Sequence, residues 1–165
     1  MAHLRDLIKR LLNIEDTPER TALAYSMGVF LGFSPFLGFH TLLGVAIAFL
    51  FRLNRVAVLL GVWSNTPWWI VPYYIAATGL GIWLTGLSID QGVVARTLQL
   101  ARDQGIIGSG FWKHLMSQGG LFLSFMIGST ILAAFLASVA YPFSLRWIKF
   151  YRSHRDLQAS NPKHQ

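Results

Sequence analysis

GFSPFLGFHT, residues 32–41, interrupts an otherwise oily run with a serine, a proline, two glycines, a histidine and a threonine. An apolar helix needs none of these. Ser34–Pro35 also opposes its continuation, because proline lacks an amide hydrogen and crowds the preceding turn. The apolar stretches on either side, Thr21 to Phe33 and Phe36 to Phe51, each fall short of the roughly 20 residues a spanning helix needs. Joined, they are too long for one straight span. The economical reading is a helical hairpin over about 21–51 that turns at SPFLG.

The composition places this hairpin in a membrane. Hydrophobic residues make up 53% of the 165 and charged residues 13%, against about 25% charged in a soluble domain. Mean hydropathy is +0.46. Between Arg20 and Asp90 the only full charges are Arg52 and Arg55, in RLNR. The net charge of +7 is concentrated where a membrane protein puts it: Arg146, Lys149, Arg152, Arg155 and Lys163 all follow the last oily run. Cations there fix orientation and attract anionic lipid, so no nucleic acid partner is expected. There is no cysteine, which removes disulfides and thiolate metal sites. Charges throughout the first 20 residues argue against a signal peptide.

A second interruption lies in the run from Val56 to Leu87. Here SNTPWWIVPYY, residues 64–74, carries Asn65, Pro67 and Pro72, and the helix is expected to break near Asn65. The two breaks share a faint likeness, GVFLGFSP at 28–35 and GVWSNTP at 61–67. Paired interrupted apolar segments point to a transporter-like site, because broken backbone in a bilayer must be buried in protein or line a cavity.

The remaining segments fill out the plan. Residues 1–16 read as an amphipathic interfacial helix, with Leu4, Leu7, Ile8, Leu11 and Leu12 on one face. Residues 17–145 form the membrane domain, whose apolar segments are the hairpin at 21–51, the broken helix at 56–87 and a span at 119–143. A polar loop at 88–118 holds a modest helix around Val93 to Ala101 and a connector, GIIGSG, at 105–110. Gly128, Ser129, Ala133, Ala134 and Ala137 in the last span permit close helix packing. Residues 146–165 form a basic tail whose final dozen are expected to be disordered.

The polar residues near the breaks are the candidate ligand-binding set: Ser34, His40, Thr41 and Asn65, with Arg52, Asn54 and Arg55 at the base of the hairpin. Helix N-termini and arginines favour a phosphate or carboxylate, and no acid lies inside the apolar runs to support a cation pump or proton relay. Taken singly, each residue has a plainer role. Ser34 and Asn65 cap helix ends, His40 steadies the hairpin, and the arginines snorkel to headgroups. Pro35, Gly38, Pro67 and Pro72 are the structural breaks. The five histidines are scattered and lack metal-ligand spacing. No HExxH, Walker, CxxC, GxSxG or dinucleotide motif occurs. No catalytic residue, metal or cofactor is expected.

The run from about Thr17 to Gly86 resembles the bacterial membrane family known as domain of unknown function 2062. The pieces that match are GVFLGFSPFLGFHT at 28–41, RLNR at 52–55, and Asn65 with Pro67, Pro72 and Tyr73. The chain departs at Thr66, where family members often carry a second asparagine, and at Trp68–Trp69, where they carry smaller or polar residues. The resemblance implies no established activity. Relatives that look fused to glycosyltransferases acting on lipid-linked sugars imply a place in envelope lipid or polyprenyl-phosphate metabolism.

These readings converge on an all-α polytopic integral membrane protein of the bacterial inner membrane. It is multi-pass, with a helical hairpin, Pro/Asn-broken helices of re-entrant type, and both termini in the cytoplasm. The expected function is non-catalytic binding or movement of an anionic lipid-phosphate ligand. The expected partners are anionic membrane lipids, with a membrane protein or a second copy as a further partner. The alternative is an accessory or scaffold subunit of envelope glycolipid or polysaccharide biosynthesis. A binding site requires Arg52, Arg55, His40 and Asn65 to converge on a cavity. A scaffold requires an exposed small-residue face such as Gly128 to Ala137.

Overall fold

The computed structural model describes residues 16–36, 38–88, 90–105 and 108–159, and all its regular elements there are helices. The amphipathic segment expected at residues 1–16 lies, apart from Asp16, outside the described residues.

Each helix begins and ends where its sequence requires. α1, Pro18–Phe33, starts with Thr17 accepting the Arg20 amide at 3.3 Å and with proline in its first turn. It ends at Ser34, whose ψ of 164° is the extended conformation that a following proline imposes. Gly38, at φ 90°, then turns the chain back into α2, His40–Leu50. Arg52 reverses it again at φ 49°, an unusual conformation for a side-chain-bearing residue. The Arg20 guanidinium helps hold that turn by donating to the Arg52 carbonyl at 3.2 Å. Asn54 caps α3, Arg55–Val62, by accepting the amides of Val56 and Ala57 at 3.1 and 3.2 Å. After a second break, α4 runs Pro67–Thr85 and ends in left-handed Gly86. α5, Gln91–Asp103, and α6, Ser109–Ser117, occupy the polar segment. α7 runs from Gly119 to Ala159.

Three expectations are corrected. Pro72 does not break its helix. It is exposed and close to the helix start, so its missing amide removes a single bond from the first turns. The polar segment is a pair of helices rather than a loop, because Phe111 and Leu115 form a second buried face in α6. The basic tail is helical through Ala159, which corrects the disorder expected for residues 154–159; residues 160–165 lie outside the described residues. The Lys149 ammonium lies 2.7 Å from the Glu19 carboxylate, and Arg152 donates to the Asp16 carbonyl at 2.9 Å, which ties this extension to the start of α1.

α7 is the spine. Its 41 residues make about 62 Å of helix. Its C-terminal half packs on α1 and its N-terminal half on α4, so α1 and α4 lie end to end beside it. Glycines permit both contacts and the α1–α3 crossing. A Cβ on Gly81 would overlap the Ser124 carbonyl, one on Gly128 the Ala77 carbonyl, and one on Gly28 the Val58 carbonyl. Of the small residues of α7, Ser129 and Ala133 are fully buried inside the protein, while Ala134 is exposed.

Among the described residues, the helix over Gly119–His154 is long and apolar enough to cross a membrane, while His40–Leu50 and Trp69–Thr85 are apolar but shorter. The outward surface is oily. Leu50 and Trp83 are each 77% exposed, and Phe135, Phe143 and Trp147 all stand more than half exposed. A water-soluble surface of this kind would be an aggregation liability.

The glycine contacts generate a paired prediction. Gly81→Ala is expected to lower stability in detergent by about 1–3 kcal/mol through overpacking. Gly79→Ala, whose added methyl meets nothing within 4 Å, is expected to raise it by up to about 1 kcal/mol through helix propensity. Thermal melts of the two variants check both signs.

Candidate functional site

The first break is a helix C-terminus placed inside the protein. The last carbonyls of such an end have no partner within their own helix. Here they are supplied from elsewhere. Ser34 donates its hydroxyl to the Leu31 carbonyl at 2.7 Å. The Asn65 amide donates to the Gly32 carbonyl at 2.8 Å. The Tyr73 hydroxyl donates to the Phe33 carbonyl at 2.9 Å, and the Tyr74 hydroxyl to the Ser34 carbonyl at 2.9 Å. The second broken segment therefore closes the first.

The faint likeness between the two break sequences has a spatial counterpart. α1 and α3 run alongside each other in the same direction, with Gly28 against Gly61 and Gly32 against Val62. While Asn65 reaches back to Gly32, Tyr25 of α1 reaches across to Ser64 at 3.0 Å between hydroxyl oxygens. Each half thus holds the end of the other.

The candidate residues fall into two groups at opposite ends of α3. Ser34, His40, Thr41 and Asn65 belong to the break level. Arg52, Asn54 and Arg55 belong to the hairpin base, with α3's eight residues, about 12 Å of helix, between them. The arginines and Asn65 do not converge on one cavity. At the break, Ser34 and the Asn65 amide are occupied with backbone. The one buried polar atom left over there is Asn65 Oδ1, an acceptor, which suits a hydroxyl or ammonium donor rather than an anion. His40 and Thr41 open α2, are half-buried, and have no side-chain cap ahead of them.

The hairpin base has the opposite character. Arg52 and Arg55 are exposed, and neither meets a carboxylate among the described residues. The Arg55 guanidinium rests over the Phe49 ring, 4.0 Å from its centroid. Asn54 is consumed as the α3 cap and is buried. The nearby acids among the described residues are already engaged. Asp16 lies 3.5 Å from Arg20, and the hydrogen bond from Lys149 holds the exposed Glu19 carboxyl below its ordinary value. That ion pair is complete above the usual carboxylate range and is lost as pH falls through the lowered value.

Beside this rim an apolar groove of about 670 Å³ runs between α1, α3 and α7, lined by Tyr25, Ala57, Leu60, Phe143 and Trp147 among others. The lining includes Asn54 and Val56 but neither arginine; cations at the edge of an apolar groove can hold an anionic head with a hydrocarbon body. No cluster of metal-ligating side chains occurs among the described residues.

Sequence reasoning missed three residues that matter here. Tyr74 and Tyr25 read only as part of oily runs, and Arg20 only as part of a helix start. The available signal was hydroxyl chemistry, since a buried tyrosine must find a hydrogen-bond partner. Broken backbone upstream is one source of acceptors.

Removing a donor at the break leaves a buried carbonyl unpaired, so Asn65→Ala, Tyr73→Phe and Tyr74→Phe are each expected to cost about 1–3 kcal/mol. Because the three act on adjacent carbonyls, the double variant Tyr73→Phe/Tyr74→Phe is expected to deviate from additivity. Denaturation in detergent measures both effects.

No curated protein and no solved structure matches the chain. A family match covers residues 1–156, well beyond the 17–86 over which the motifs are recognisable by eye. The chain belongs to the family described as an uncharacterized protein conserved in bacteria, domain of unknown function 2062.

Proposed function

We propose that this is a non-catalytic, multi-pass protein of the bacterial inner membrane that binds an anionic lipid phosphate at its cytoplasmic rim. The observation that carries the reading is that Arg52 and Arg55, without carboxylate partners among the described residues, flank Asn54, which lines the apolar groove of about 670 Å³ without either arginine entering it. Phosphate oxygens would take the arginine donors, and the groove would take the chains. Asp90 is the next acid after Glu19, so nothing between competes for the cations.

In this reading α1 rises from the cytoplasmic side to mid-depth and α2 returns, forming a re-entrant hairpin. α3 and α4 cross together as one broken span. α7 crosses back and carries its cations into the cytoplasm. Placed end to end along α7, α1 and α4 have 16 and 19 residues, about 52 Å of helix, so the pair is long enough to cross a core of about 30 Å with its outer ends in the headgroup regions. For the accessory-subunit alternative the small-residue face is narrower than expected, because Gly128, Ser129 and Ala133 pack internally while Ala134 is exposed.

Topology is tested with single cysteines in this cysteine-free chain. Ser153→Cys is expected to react with a membrane-impermeant maleimide only in inside-out vesicles, Gln104→Cys only in right-side-out vesicles, and Phe36→Cys in neither. Reactivity of Phe36→Cys from both sides would sink the re-entrant hairpin.

Lipid binding is tested by native mass spectrometry from mild detergent with Arg52→Gly and Arg55→Gln. Glycine suits φ 49° better than arginine, so Arg52→Gly is expected to keep or raise stability, by about 1 kcal/mol at most. Loss of bound phosphatidylglycerol or polyprenyl phosphate in these folded variants supports the site. Unchanged retention refutes it.

A further inference from the structure

A second, laterally open space lies on the far side of the break, away from the arginine rim. It is a cavity of about 240 Å³ between α4, the α5–α6 pair and the start of α7. Tyr74 and Gly79 form its floor, Leu98 its roof, and Leu115 and Phe125 its walls. Val71 and Ile75 border it and are 41% and 50% exposed, so the cavity opens sideways there.

The two sides of α4 differ in how they are filled. Toward α7 there is no room: Gly81 touches the Ser124 backbone. Two residues earlier, an added Cβ on Gly79 would meet nothing within 4 Å. The roof is also held off. α5 is amphipathic, with Val94, Thr97 and Leu98 turned toward the cavity, yet none of its residues is fully buried. Protein interiors rarely leave apolar space of this size empty, because every lining atom forgoes its contacts.

The chemistry of the lining selects the occupant. Its polar groups are already engaged within the protein. Thr78 donates to the Tyr74 carbonyl at 2.7 Å, Thr97 to the Val93 carbonyl at 2.8 Å, and Tyr74 to the Ser34 carbonyl at 2.9 Å. Water or a polar headgroup would find little to bond. A helix about 10 Å across is far too thick to enter. We propose that this cavity takes a single hydrocarbon chain of a membrane lipid, entering past Val71 and Ile75. The site rests on the membrane reading above but is independent of the anion-binding one. Its floor residue Tyr74 also holds the break, so a bound chain rests directly on that hydrogen bond.

The test uses the full chain in vesicles of phosphatidylcholine and phosphatidylglycerol that contain a phosphatidylcholine with a photoactivatable diazirine near the end of one chain. In the wild type, cross-links mapped by mass spectrometry are expected to concentrate on Tyr74, Gly79, Leu98 and Phe125, above the background at the outward-facing Trp83 and Phe135. Gly79→Leu fills the cavity from the floor and Leu98→Phe fills it from the roof. Each is expected to keep its melting temperature and to bring cavity labelling down to that background. Labelling spread evenly over α4 and α7 in the wild type overturns the proposal. So does cavity labelling that persists in whichever filled variant stays folded.

Discussion

The protein depends on what happens to the carbonyl groups at the end of α1. A helix that stops among apolar side chains exposes acceptors that no water can reach, at a cost of several kcal/mol each in a bilayer. Four consecutive carbonyls, from Leu31 to Ser34, receive donors from Ser34, Asn65, Tyr73 and Tyr74. Three of those donors belong to a segment more than thirty residues further along the chain. The hairpin and the broken helix are therefore one structure, since the first cannot end where it does without the second.

That requirement fixes the packing around it. For Asn65 to reach Gly32, α3 must come close to α1 over its length, and Gly28 and Gly61 leave the backbones free to approach. Tyr73 also donates to the Ser129 carbonyl at 3.2 Å, which joins the break to the middle of α7. Below this level α7 packs on α1, and above it on α4. The aromatic chain from Phe33 through Tyr73 and Tyr74 to Phe125, with successive ring centroids 4.9 to 5.2 Å apart, surrounds the same point. Hydroxyls and rings of the two tyrosines thus serve polar satisfaction and packing together.

Much of this was legible in the residues. Ser34–Pro35 and Pro67 gave both breaks because proline acts locally, on its own amide and on the residue before it. Ser34 was recognisable as a capping residue for the same reason, since its hydroxyl bonds a carbonyl only three residues back. What stayed hidden depended on distance. The partners of Tyr73 and Tyr74 lie 40 residues away in sequence, and periodicity carries no such information. The separation of Arg52 and Arg55 from Asn65 was equally invisible, since the order of polar residues along a chain says nothing about which end of α3 each occupies. Pro72 misled because its effect depends on position: near a helix start, a missing donor costs little.

The two break sequences, similar as they read, send the chain in different directions, and the difference lies in the residues after each proline. Pro35 and Phe36 are not helical, and Gly38 follows at φ 90°, a conformation that reverses the backbone and that a side chain would resist. Pro67, by contrast, is itself the first residue of α4, a position where its fixed φ and absent amide favour helix. The first segment is turned back and the second restarts onward. One consequence is polarity. α1 presents carbonyls at the break, and they are paired. α2 and α4 begin near it without side-chain caps, so the positive ends of their dipoles are the uncompensated charge at that level. Any anion that travels inward from the arginine rim would be drawn toward those ends. The surplus Asn65 acceptor works against its settling there, which is why the rim, and not the break, is the place to look for a bound phosphate.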